Sequence, residues 1–375
     1  MTLSTLVSLF TAAGATRVEP PILQPADAFL DASGEDIRRR LFLTEALDGT
    51  ALCLRPDYTI PVCRAHIAAG TSTRPALYAY GGPVFRQRAD ELGEFLQAGI
   101  ERIGDDDPAT ADADVLALAL RALEAVDFGP VAIRIGDEAL FSALMQDLDL
   151  PAAWRQRLRS CFGDDARMAA MITRLATGDG AGGMLAHAGV LGVLSGQDRA
   201  GAQALVEDLI AIAGIDSVAG RTPREIAERF LDQASTAGSG VLEAGKARAL
   251  SELLALNAPL VTATERLSAF AVGVHELLGR VPEAFVTALA GFEARRKAIA
   301  ARGIDLAAIP FSAGFGRNLD YYTGFVFEIG SPARPDAKPA VGGGRYDRLM
   351  TLLGAKAPTP AVGCSIWIDR LEGPR

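Results

Sequence analysis

The chain has 375 residues, 49% of them apolar, which is enough to bury a large core and excludes an intrinsically disordered protein. Its formal charge of −9 gives no net attraction to nucleic acid or anionic lipid, and no apolar run reaches the roughly 18–20 residues a membrane span needs. The four cysteines (Cys53, Cys63, Cys161, Cys364) form no Cys-x-x-Cys pair and the three histidines lie far apart, so neither a metal site nor a redox pair is expected. No basic segment followed by an apolar one opens the chain, and a cytoplasmic location is expected.

Residues 3–13 predict a short amphipathic helix, with Leu3, Leu6, Val7 and Phe10 on one side and Gly14 at its end. An extended stretch at 18–23 is interrupted by Pro20 and Pro21. Residues 41–43 and 51–55 predict two antiparallel strands around Asp48-Gly49-Thr50, and 57–69 a helix with Pro61 in its first turn. A second strand pair is expected at 77–88 and 95–104, then a helix at 111–126 and a strand at 131–136. Residues 137 to about 282 are rich in helix formers, broken at 178–183, at Gly214 and at 236–240. They predict helices over a sheet and a mostly helical insertion. No Gly-Lys-Ser/Thr follows the glycines of 179–183, so that stretch is expected to be a connection and not a phosphate loop.

A helix at 285–301 is stopped by Gly303, and strands follow at 309–313 and 323–329. Residues 331–339 hold three prolines and predict a loop. Gly342-Gly343-Gly344 is expected to turn into a helix running through Leu349, before a last strand at 362–368. The pattern predicts an α+β fold, a mostly antiparallel sheet flanked by helices with a helical insertion, divided as 1–136, 137–282 and 283–375. No Gly-x-Gly-x-x-Gly stands between a strand and a helix to support a dinucleotide fold, and no cofactor is expected.

Polar groups gather near the strand ends. Asp57 and Thr59 follow Arg55-Pro56, Arg86 and Arg88 follow a strand, and Gln97 and Glu101 stand four apart on the next, hence on one face. Carboxylates bind ammonium or imidazole N–H groups and arginine clamps a carboxylate in a fork, a combination suited to a zwitterionic amino acid. A surface lattice of ion pairs would use the same residue types. Arg317, Asp320, Tyr321 and Tyr322 precede an apolar strand that ends at Glu328, and Arg345, Tyr346 and Asp347 follow the glycines.

Five colinear segments carry a family resemblance. Leu54-Arg55-Pro56-Asp57-Tyr58-Thr59 resembles the Leu-Arg-Pro-Glu-Gly-Thr segment of histidyl-tRNA synthetases. Phe85-Arg86-Gln87-Arg88 with 95–101 is similar to their class II motif 2, 317–328 and 342–347 to their two histidine-specific signatures, and 363–371 to motif 3. The resemblance implies the class II aminoacyl-tRNA synthetase fold. It also implies a histidine-like ligand held by Asp57, Thr59, Arg86, Gln97, Glu101, Arg317, Tyr321, Tyr322 and Tyr346. The Glu of that pattern is shortened here to Asp57.

The nucleotide half departs from the family pattern. Arg88 stands where motif 2 has an acidic residue, Gly93 where it has a basic one, and Trp367 replaces a motif 3 glycine beside which adenine would lie. Asp369 replaces a Glu, and the chain is expected to lack the anticodon-binding domain that follows this point in the synthetases. The chain therefore resembles the catalytically silent branch of that family, the regulatory subunits of ATP phosphoribosyltransferase. That resemblance implies no catalytic residue, a short-form catalytic subunit as partner, self-association as a dimer, and a part in feedback by histidine. The competing expectations are an amino-acid-activating enzyme that does not charge tRNA, which would exchange pyrophosphate, and an interaction protein of another pathway.

Overall fold

The computed structural model describes residues 2–32, 37, 39–70, 74–88, 92–178, 199–212, 241–317 and 321–371. The expected breaks at 179–183, Gly214 and 236–240, and Asp320 of the proposed signature, lie outside the described residues. Two compact units are present, one made of 1–147 with 252–375 and the other of 148–251.

The first unit is built on a nine-stranded sheet. In chain order its strands are β1 (Thr16–Arg17), β5 (Ala76–Phe85), β6 (Glu94–Ile103), β7 (Ala132–Asp137), β8 (Asn257–Pro259), β9 (Pro310–Ser312), β10 (Phe325–Gly330), β11 (Val341–Arg345) and β12 (Ala361–Trp367). They lie in the order β1-β5-β6-β12-β11-β10-β7-β9-β8. Only β1 with β5 and β7 with β9 run parallel; the other neighbours are antiparallel. A separate sheet of β2 (Leu23–Pro25), β3 (Leu43–Glu45) and β4 (Ala51–Leu54) has the order β2-β4-β3.

The strand period of two divides the large sheet into two faces. On one face lie α1 (Thr2–Ala12), whose Leu3 and Val7 reach Gly81, and α4 (Pro108–Glu124), whose Asp112 reaches Arg345. Helix α4 has Pro108 in its first turn and is capped by Asp107, which accepts from the Thr110 amide at 3.1 Å. Helix α11 (Glu283–Ala300) packs on α4 and on α5 (Glu138–Asp147), while α10 (Leu260–Leu278) packs on α11 and stops at Gly279, φ +65°.

The opposite face carries α2 (Asp27–Ala32), α3 (Thr59–Ala68) and α12 (Asp347–Leu352). There Phe29, Ile60, Cys63, Ile103, Leu349 and Met350 form one buried cluster with Tyr321 and Tyr346. The second unit holds α6 (Ala152–Arg159), α7 (Asp165–Thr177), which ends at Gly178, φ +72°, and α8 (Arg199–Ile212). Helix α9 (Ala244–Leu254) spans the boundary between the units. No described helix is long and apolar enough to cross a membrane.

One local expectation is corrected. Gly342, Gly343 and Gly344 are not a turn; they are the middle of β11, paired on both edges, and none has a positive φ. The helix after them begins at Asp347 and ends at Leu352.

Candidate functional site

The site begins with a floor of glycines. Register places Gly82, Gln97 and Trp367 side by side, then Tyr80, Gly99, Ser365 and Gly342, then Tyr78, Glu101, Gly363 and Gly344, all on one face. A methyl group at Gly363 would overlap the Glu101 carboxylate, and one at Gly342 would overlap the Arg317 guanidinium. At Gly344 it would come within 2.9 Å of the Tyr322 ring. These strand glycines therefore clear the volume in which the functional side chains lie across the sheet, at the cost of weaker strand propensity.

Glu101 is the centre of the arrangement. Its carboxylate accepts from the Thr59 hydroxyl at 2.8 Å, from Tyr80 at 3.3 Å, and from Tyr346. Burial pushes its pKa up to about 8, with the nearby Asp57 charge adding to the rise and the three hydroxyls opposing it. Asp57 accepts from the Ile60 amide at 3.4 Å; burial raises its pKa and Arg86 pulls it back. Arg86 is half-buried and donates to the Pro56 carbonyl at 2.7 Å. Tyr321 stands edge-on to Tyr346, with ring centres 5.9 Å apart, and leans on Tyr322 at 4.9 Å. Arg317 donates to Glu328 at 2.8 Å and lies 5.5 Å from the Trp367 ring centre.

The structure thus brings together Asp57, Thr59, Arg86, Gln97, Glu101, Arg317, Tyr321, Tyr322 and Tyr346. Four polar atoms among or beside them are buried without a hydrogen-bond partner: Asp57 Oδ2, Gln97 Oε1, Arg317 Nε and Trp367 Nε1. Each such atom costs about 1–3 kcal/mol, so residues that merely satisfied one another would not leave this set. Two are acceptors and two are N–H donors. Together they match the ammonium and the carboxylate of a zwitterion.

On the nucleotide side, Trp367 is 5% exposed and packs with Tyr58, Val62, Tyr80, Val84 and Phe95. Tyr58 stacks on Tyr80 at 4.5 Å with 6° between the rings, and Arg55 lies 4.1 Å above Tyr58. Arg88 covers the Phe95 ring at 3.7 Å and approaches Asp369 at 3.7 Å. Sequence reasoning missed Tyr58, which stands at a glycine of the resembling segment, and missed Tyr80; the substitution at Tyr58 was the available signal.

Arg345 does not join the pocket. It points to the other face and donates to Asp112 at 2.7 Å, while Asp112 also accepts from Arg295 at 2.6 Å, and Arg295 bonds Asp137. Asp347 accepts from the Arg345 guanidinium at 2.9 Å and from the amide of Ala361 at 2.7 Å, the residue whose carbonyl accepts from the Tyr346 amide. A cleft of about 830 Å³ lies on that same opposite face, beside Leu77, Arg102 and α4. Arg102 and Arg302 there are already paired with Asp114, at 2.6 and 2.7 Å.

Comparison with known proteins gives a consistent result. The histidyl-tRNA synthetase family model matches residues 1–221 and 201–371. A protein of Allorhizobium ampelinum named ATP phosphoribosyltransferase regulatory subunit is 45% identical over 370 residues, which are 98% of this chain and 95% of that protein. Its namesake from Mesorhizobium japonicum is 44% identical over 371 residues, 99% of this chain and 96% of that protein. Among solved structures, an ATP phosphoribosyltransferase regulatory subunit/histidyl-tRNA synthetase from Bacillus halodurans matches with a TM-score of 0.65. That match covers 99% of this chain and 77% of the other at 22% identity, and it speaks to the fold: a class II aminoacyl-tRNA synthetase-like α+β core.

Proposed function

The chain belongs to the ATP phosphoribosyltransferase regulatory subunits, within the histidyl-tRNA synthetase family, and from that premise we propose how it works as a non-catalytic subunit. Its partner is a short-form catalytic subunit that joins a phosphoribosyl group to ATP in the first step of histidine biosynthesis. This chain is required for the partner's turnover, and its pocket contributes to feedback by binding histidine. Self-association as a dimer and a cytoplasmic location belong to the same proposal.

The observation that carries the ligand reading is the set of four buried, unpartnered polar atoms. Asp57 and Gln97 face an ammonium, Arg317 a carboxylate, and Glu101 with its ring of hydroxyls an imidazole N–H. Against nucleotide binding stand Trp367 and the aromatic stack beside it, because a buried indole where a glycine belongs excludes adenine by volume.

The test is to mix the chain with the short-form phosphoribosyltransferase encoded in the same genome. A stable hetero-oligomer with raised turnover is expected; no complex at micromolar concentrations with unchanged turnover would refute the assignment. Histidine-dependent pyrophosphate exchange by the isolated chain is expected to stay at background. Robust exchange would favour an amino-acid-activating enzyme instead.

A further inference from the structure

Trp367 fills the volume beside Tyr58 and Tyr80. A filler, however, needs no N–H: Phe or Leu would occupy that volume without burying an unsatisfied donor. Indole nitrogen can only donate, and Trp367 Nε1 is buried with no acceptor. It sits on the pocket face in direct register with Gln97, whose Oε1 is also unpartnered. Two guanidinium groups flank the ring, Arg370 at 4.3 Å and Arg317 at 5.5 Å from its centre. Arg317 spends Nη1 on Glu328 and keeps Nε unpartnered. Two empty N–H donors in a positive environment call for one anionic acceptor.

We infer that the indole N–H of Trp367 is a ligand contact, donating together with Arg317 to the free carboxylate of the bound amino acid. This deepens the proposed function and rests on it: the pocket holds a zwitterionic amino acid, and Trp367 decides which derivative of that amino acid it accepts. A free carboxylate presents two acceptor oxygens and ends there. An ester or an adenylate carries a substituent on that carbon, directed at the space the indole and the Tyr58–Tyr80 stack occupy. An amino alcohol lacks the charge that the two donors and the flanking arginines attract. The substitution that closes the nucleotide site would thus also convert an activation pocket into a sensor of the end product.

The test compares ligands on Trp367→Phe, which keeps an aromatic ring and removes the N–H, using the complex of this chain with its catalytic partner. Calorimetry with L-histidine, L-histidinol and L-histidine methyl ester gives three affinities for each protein. For wild type, histidine is expected to bind most tightly. In Trp367→Phe, histidine is expected to weaken about tenfold or more, as loss of a hydrogen bond to a charged group implies, while histidinol changes less than about twofold. Arg317→Lys, which leaves a cation but no Nε–H, is expected to show the same carboxylate-selective loss.

An equal loss for histidine and histidinol would overturn the inference, as general damage to the pocket, and so would an unchanged histidine affinity. Either result leaves histidine sensing intact, because wild type still binds. Failure of wild type to bind histidine refutes the ligand reading itself, and this inference with it. Trp367→Phe without ligand is expected to melt within a few degrees of wild type; a variant that fails to fold is replaced by Trp367→Leu, which also lacks the N–H, and the histidine-to-histidinol ratio of Arg317→Lys then decides.

Discussion

Glu101 illustrates how a residue's surroundings fix its chemistry. Its pKa is raised from the ordinary 4.5 to about 8, so between those values the folded protein holds a proton that the unfolded chain has released. Stability from this group is complete below about pH 4.5 and is lost as the pH rises through about 8. Thermal midpoints should therefore fall between pH 6 and pH 9 more steeply for wild type than for Glu101→Gln, which cannot ionise; parallel slopes would contradict the burial of this carboxyl. Asp57 is shifted in the same direction by the same cause and adds to the effect. Glu101→Gln should also weaken histidine binding by about 1–3 kcal/mol, measured by calorimetry on the complex, since an amide cannot give up a proton to become the charged acceptor that a bound imidazole N–H would favour. Buried thiols close by follow the same rule: burial holds Cys63 and Cys364 protonated, which suits packing and not nucleophilic attack.

At the scale of elements, the glycines of β11 and β12 are constrained by what lies above them. Gly363→Ala would drive a methyl group into the Glu101 carboxylate and toward the Ile100 carbonyl, at 2.6 Å from the new carbon. A loss of about 1–3 kcal/mol in urea unfolding is expected, together with loss of histidine binding. Gly273→Ala is the contrasting case. That residue lies exposed within α10 with nothing inside 4 Å of the added carbon, so the change should stabilise by about 0.5–1 kcal/mol and leave binding alone. On the opposite face, Asp112 joins α4 to α11 and β11 by bonding both Arg295 and Arg345. Asp112→Leu leaves two buried guanidinium groups short of a partner and should cost about 3–5 kcal/mol, read from the urea midpoint at unchanged slope.

For the whole molecule, regulation requires that occupancy of the pocket be felt by the partner. Coupling is reciprocal: if histidine alters the partner's affinity for substrate, substrate must alter the affinity for histidine by the same factor. In assays of the complex, histidine should inhibit wild type at lower concentration than it inhibits the Glu101→Gln complex, with uninhibited turnover alike in both. Identical inhibition curves would place feedback outside this pocket. The connection available within this chain runs through Asp347, which ties Arg345 on one face to the backbone around Tyr346 on the other.

Much of this architecture was legible in order of residues alone. Period-two strands, the helix ended by Gly303, and the proline-rich loop at 331–339 are local decisions, made by side-chain alternation and backbone preference. The polar residues of the pocket were legible for a similar reason, since Gln97 and Glu101 must share a face of any straight strand. Long-range packing decided the rest. Gly342–Gly344 looked like a turn because glycine is permissive locally; only the arrival of Arg317 and Tyr322 from another segment makes its missing side chains a requirement within a strand. Arg345 adjoins Tyr346 in the chain, yet the pleat sends it to the opposite face, where Asp112, more than two hundred residues earlier, neutralises it. Tyr58 and Trp367 meet in one aromatic cluster although three hundred residues separate them, because β12 docks beside β6. Residue order sets backbone and periodicity, whereas which atoms are left without partners is a property of the packed interior, where each donor is counted against every neighbour it meets.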